Sequence, residues 1–293
     1  MRPSSQFGAI SACLLWSSAF AGVKYGLGFM PVFVFAGIRF LLAGAMQLPL
    51  VGIREPARLF RDRRVWMIAL FNTFFLYALF FTALSMAPGA QAAIIVGASP
   101  LVAGWMAHLL MPNDRMTLRK QAAILLGMLG ITLVILNKEP WQSGVGREES
   151  IGLGLLVISC FVSSFGNILV AKTRNEISPI AMNSAQMIIG GSLLLITGLS
   201  TTGMPEFGVP LTFYVVLIYL AALSATAFAI WFFLLQREAV SDLNMWKFLV
   251  PVFGAIFSWV LLPDEKPDAV SVFAMCLVGV AVWFGTAKKS LGF

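Results

Sequence analysis

The chain has 293 residues, 59% of them hydrophobic and 11% charged, with a formal net charge of +7. A soluble domain carries roughly 25% charged residues, and no soluble fold of this size has interior enough to hide so much apolar surface. Lipid is therefore the expected solvent. The positive charge does not point to nucleic acid, because the basic residues sit in short segments between apolar runs.

A spanning helix needs about 20 mostly apolar residues. The runs that qualify, in chain order, are 7–27, 31–52, 65–86, 88–111, 117–137, 151–172, 178–200, 211–236, 240–262 and 268–287. The first follows Arg2 and is long enough to cross a bilayer, so it reads as a retained helix rather than a cleaved signal segment. Pro88-Gly89 and Val240-Ser241 mark tight turns before the fourth and ninth runs. Cys13, Cys160 and Cys276 all lie inside apolar runs and read as small core residues without a disulfide framework.

Lys and Arg in the loops set orientation. With the N-terminus inside, the inner segments hold Arg2, the cluster from Arg54 to Arg64, Arg115, Arg119, Lys120, Lys172, Arg174, Arg237, Lys288 and Lys289. The outer segments hold Lys24, Lys138, Arg147 and Lys266. Both termini are thus expected on the cytoplasmic side of a bacterial-type inner membrane.

The chain also repeats. Pro100 leads to Leu109-Leu-Met-Pro112-Asn-Asp114-Arg115, and Pro251 leads to Val260-Leu-Leu-Pro263-Asp-Glu265-Lys266. Near the two starts, Cys13-Leu-Leu-Trp-Ser17-Ser18 is matched by Cys160-Phe-Val-Ser163-Ser164. Five helices per half is an odd number, so the second half must enter from the opposite face, giving a five-plus-five inverted-topology repeat of the kind secondary transporters use. The expected organisation is an all-α integral membrane protein with one repeat in 1–138, a linker loop in 139–150 and a second repeat in 151–293.

Polar residues at membrane depth carry the functional signal. Pro100 and Pro251 remove backbone hydrogen bonds inside their helices and free the carbonyls of Val96 and Lys247, which must face protein or a wet cavity. Lys247, one turn before Pro251, reads either as a cavity ammonium for a substrate carboxylate or phosphate, or as a side chain snorkelling to the interface. Arg39 reads as a clamp between helices or as an anion ligand. Trp16, Ser17, Ser18, Asn72, Tyr77, Gln91, Ser99, Ser163, Ser164, Asn167, Gln186, Trp231 and Asn244 could bind zwitterions or flat rings, or serve as helix–helix glue. His108, the lone histidine, falls near the inner end of the fourth run. No Asp or Glu falls at mid-membrane depth, which argues against a permanently cationic main substrate. No nucleotide, zinc or magnesium motif is present, so neither cofactor nor metal is expected. A membrane-embedded enzyme would need converging catalytic groups that these residues do not supply.

Trp16-Ser-Ser-Ala-Phe20 with Lys24, then Arg39-Phe-Leu-Leu-Ala43, resembles the opening of an EamA repeat. Ala83-Leu-Ser-Met-Ala-Pro88, Ser99-Pro100, Leu110-Met-Pro-Asn-Asp-Arg-Met-Thr117 and Gly127-Met-Leu-Gly130 resemble its end. The resemblance, to the drug/metabolite transporter superfamily, covers nearly the whole chain in two copies. It implies ten helices, a central cavity between the halves and alternating access. The family's Leu-Gly-Glu is replaced by Pro-Asn-Asp114 and Pro-Asp-Glu265, and the second opening lacks the tryptophan. Within the superfamily the chain is most similar to YddG-type exporters, which implies aromatic and related amino acids as substrates. The aromatics of the third and eighth runs (Phe71, Phe74, Phe75, Tyr77; Phe228, Trp231, Phe232, Phe233) are compatible with that. Sugar phosphates, nucleosides and neutral drugs are the competing substrate classes.

Overall fold

A computed structural model describes residues 1–51, 58–87, 89–138, 146–203, 208–261 and 267–286. Arg54, Pro88, positions 139–145 of the expected linker, the Pro263–Lys266 motif, Lys288 and Lys289 lie outside the described residues. Among the described residues, ten helices are long and apolar enough to cross a membrane: α1 (Pro3–Gly26), α2 (Val32–Val51), α3 (Arg63–Leu84), α4 (Gln91–Leu110), α5 (Leu118–Asn137), α6 (Arg147–Lys172), α7 (Pro179–Thr202), α8 (Leu211–Leu235), α9 (Val240–Phe257) and α10 (Ala269–Thr286). The protein is a multi-pass membrane protein.

α1 and α6 start earlier than the predicted runs, for local reasons. α1 starts at Pro3, where a proline in the first turn needs no amide donor. α6 starts at Arg147 because Glu148 and Glu149 in its first turn complement the positive end of the helix. α3 is capped by Asp62, whose side chain accepts from the Arg64 amide at 2.8 Å. The Arg64 side chain also donates to Asp62 and holds its carboxyl below the usual carboxylate range.

Helix packing respects an exchange of the two halves. α2 packs on α7 and α5 on α10; α1 packs on α8 as α6 packs on α3; α1 packs on α9 as α6 packs on α4; and α4 meets α9. The α2–α7 and α5–α10 pairs are antiparallel. On α2 and α7, Val34 faces Gly198, Gly37 faces Leu195, Leu41 faces Gly191 and Gly44 faces Ile188. On α5 and α10, Ala123 faces Gly285 and Gly130 faces Val278. Counterpart helices running in opposite directions are consistent with the five-plus-five inverted repeat. Hydrogen bonds repeat too. Cys13 Sγ donates to the Trp246 carbonyl at 3.2 Å, and Cys160 Sγ to the Ile95 carbonyl at 3.7 Å. Each acceptor precedes its helix proline, Pro251 or Pro100, by the same number of residues. Ser17 and Ser164 each donate to the carbonyl of that cysteine, both at 2.7 Å. The structural register therefore pairs Ser17 with Ser164 and sets Ser163 opposite Trp16.

At one end, a buried charged cluster ties the halves together. Asp114, in the α4–α5 connection, accepts from the Ser241 amide at 2.8 Å and from its hydroxyl, capping the first turn of α9. Lys120 reaches Asp114 at 3.2 Å, Asp242 at 2.7 Å and the Ser241 hydroxyl at 2.6 Å. Asp114 is 3% exposed, so its own bonds are shielded from water. Asp114→Asn removes the cap's charge and leaves Lys120 with one fewer carboxylate; thermal unfolding in detergent should show a loss of about 2 kcal/mol. An unchanged unfolding midpoint would mean that the cluster contributes nothing to joining the halves.

Candidate functional site at the helix irregularities

Three helices lose regular geometry at membrane depth. α9 begins as an α-helix over Val240–Met245, tightens to a 3-10 turn over Trp246–Phe248 and resumes at Leu249, with Pro251 in the next turn. α4 stops at Gly97 and restarts at Ser99, with Pro100 in the first turn of the new segment. α3 passes through a π-turn over Leu70–Phe74 that carries Asn72. Irregular backbone in a bilayer is tolerated where protein or a cavity surrounds it, and π-turns are frequent at functional sites. α1 answers α9 with a polar stripe: besides the Cys13 bond, Ser17 donates to the Val250 carbonyl at 2.8 Å.

Lys247 sits in the 3-10 turn of α9. Its ammonium lies 5.2 Å from the centroid of Trp231 on α8, within cation–π range. The thiols of Cys13 on α1 and Cys160 on α6 are within its electrostatic reach. Among the described residues it has no carboxylate partner and no hydrogen-bond acceptor. It is thus an uncompensated charge among four helices of both halves.

Aromatic rings extend outward from it. Trp231 meets Trp16 edge-on at 5.0 Å, and Trp16 meets Phe228 at 5.4 Å. Phe228 contacts Phe40 at 6.4 Å, and Phe40 meets Tyr77 at 4.6 Å. Among the described residues, the buried indole N–H groups of Trp16 and Trp231 have no hydrogen-bond partner, nor does the Asn72 amide nitrogen. Asn72 packs against Gly166, where an added Cβ would sit 2.7 Å from it. Next to Gly166, Asn167 donates to Asn244 at 3.2 Å, and Asn244 donates back to the Val240 carbonyl. Donors without acceptors are costly in a core, and these three lie on the walls of the irregular region.

Other residues singled out in the sequence lie elsewhere or are already engaged. Arg39 donates to the Ser224 hydroxyl at 2.9 Å and stacks 5.3 Å from Phe40, bracing α2 on α8. Ser18 points to Tyr219, its oxygen 2.7 Å from the phenol. Ser99 and Ser163 are half-buried. His108 is exposed near the end of α4, where it faces the Met116 amide at 3.4 Å. Gln91 is buried at the start of α4. Gln186 belongs to a buried chain in which Thr73 donates to Gln186, Gln186 to Asn183, and Asn183 to Gln47 and to the Ala225 carbonyl. Sequence reading missed Ser224, Thr73, Asn183 and Gln47 in these networks, and Phe40 in the aromatic row. Gln47 and Asn183 carried a usable signal, being amides inside or at the end of apolar runs; Phe40 among so many phenylalanines carried none.

Comparison with known proteins decides the family. Residues 4–136 and 150–286 both match the EamA-like transporter family. The chain belongs to the EamA-like transporter family. EamA-like relatives include an uncharacterized transporter of Archaeoglobus fulgidus, 26% identical over 94% of this chain and 95% of that protein. An S-adenosylmethionine/S-adenosylhomocysteine transporter of Chlamydia muridarum is 25% identical over 92% of this chain and 88% of its own. Another, the uncharacterized transporter YvbV of Bacillus subtilis, is 26% identical over 90% and 85%. A solved crystal structure superposes with a TM-score of 0.84 at 19% identity, covering 98% of this chain and 97% of the other, and shows the same fold. The family membership and the relatives' names make this EamA-like chain a transporter rather than an enzyme.

Proposed function

We propose that the chain exports a small metabolite bearing a free α-amino carboxylate and a flat ring. Aromatic amino acids belong to that class, and so do the adenosyl amino acids named for the chlamydial relatives. The observation that carries the reading is the Lys247 ammonium, without an ion pair among the described residues, seated over Trp231, itself packed on Trp16. The ammonium would take the carboxylate, and the two indoles with Phe228 would flank the ring. Asn72, Asn167 and Asn244 supply amides to the substrate's polar end. In this reading the halves 1–138 and 151–293, joined by 139–150, rock about the site in a bacterial-type inner membrane with both termini cytoplasmic.

Counterflow in proteoliposomes tests it. Phenylalanine, tryptophan and S-adenosylhomocysteine should exchange, and their methyl esters should not. S-adenosylhomocysteine should exchange faster than S-adenosylmethionine, because no carboxylate lies at mid-depth to balance a sulfonium. Equal exchange of nucleosides lacking a carboxylate, or of sugar phosphates, would overturn the reading.

A further inference from the structure

A cavity of about 720 Å³ opens at the end of the bundle where α1 begins, α6 turns into α7 and α8 ends. Its lining includes Arg2, Arg174, Arg237, Glu238, Phe233 and Met1. That volume accommodates an organic ligand. The charged side chains of the lining are three guanidiniums and one carboxylate. Basic residues at a cytoplasmic end are ordinary topology signals, but their neighbours here are already neutralised. Arg64 is bonded to Asp62 and Glu176, and Lys120 to Asp114 and Asp242. Among the described residues, Arg2, Arg174 and Arg237 have no ion pair. Arg237 is instead laid on the face of Phe233, 3.6 Å from its centroid, which fixes the guanidinium while leaving its donors free.

The cavity lining also touches the helix turn that carries the inner site. Met1, in its lining, accepts a hydrogen bond through Sδ from the Trp246 indole at 3.1 Å, and Trp246 precedes Lys247. From this geometry we infer that the cavity is a second, outer binding site that captures the carboxylate of the carried metabolite on Arg174 and Arg237 before it passes to Lys247. The inference rests on the amino-carboxylate reading above. Two positive stations in series would raise the local substrate concentration at the mouth, and the outer one, being open to solvent, would be screened by salt.

The test uses the full chain in vesicles sorted by orientation, with phenylalanine and S-adenosylhomocysteine presented to either face. The variant Arg174→Gln/Arg237→Gln should raise KM about fivefold from the cavity face at low salt and leave kcat unchanged, as loss of electrostatic steering does. From the opposite face KM should stay at the wild-type value, and at high salt the difference should vanish. A KM unchanged from the cavity face, or raised equally from both, overturns the outer site. If the variant behaves as wild type while Lys247→Met raises KM, the outer site alone fails. If the wild type moves neither compound, the amino-carboxylate reading fails and the outer site with it.

Discussion

Lys247→Met should raise KM for amino-carboxylate substrates roughly tenfold to a hundredfold while leaving the protein folded. A charge-assisted bond to a carboxylate contributes about 1.5–3 kcal/mol, which corresponds to a loss in affinity of roughly tenfold to a hundredfold. Methionine keeps much of the stem length and the contact with Trp231 but removes the ammonium. Stability should not fall, because an ammonium with no partner among the described residues is costly to hold at that depth. Unfolding midpoint and counterflow KM are therefore read on the same preparation. Lys247→Arg should restore part of the affinity. A methionine variant that transports with the wild-type KM would remove Lys247 from the site.

The second large effect concerns the α2–α7 seam. A Cβ added at Gly37 would lie 2.6 Å from the Leu195 amide nitrogen, and one at Gly191 would lie 2.8 Å from the Leu41 nitrogen. Both obstacles are backbone, so no side chain can rotate away. In a bilayer, helices associate through such close approach because hydrophobic burial cannot separate helix from lipid. Gly37→Ala should cost about 3 kcal/mol by forcing the helices apart. Gly154→Ala is the control, since nothing lies within 4 Å of its Cβ position; it should be neutral or stabilise by up to about 1 kcal/mol through helix propensity. Equal unfolding midpoints for the two variants would show that the seam tolerates separation.

The ten spans were legible because the bilayer imposes a length and a polarity that local composition must meet, and α8 shows this plainly: predicted at 211–236, it runs from Leu211 to Leu235. The duplication was legible through Pro100 and Pro251, residues whose backbone consequences survive when apolar side chains drift. The register within the repeat was not. Ser17 and Ser164 are counterparts only because each bonds a cysteine carbonyl one turn back, a contact that a bare Ser-Ser match does not specify.

By itself, then, the sequence determined the solvent and the number of crossings, since these follow from the free energy of each segment in lipid, and it showed two related halves through the recurrence of Pro100 as Pro251. It also drew notice to Lys247, Trp16 and Trp231 as residues unsuited to hydrocarbon. Tertiary structure alone decided that Trp16 and Trp231 touch and that Lys247 lies over one of them. It alone decided that Arg39 is tied to Ser224 on α8 and that Asp114 caps the start of α9. Apart from Lys247 and Trp231, which sit on successive helices, those pairings join residues more than a hundred positions apart, and all of them are fixed by the crossing of helices, which no local pattern encodes.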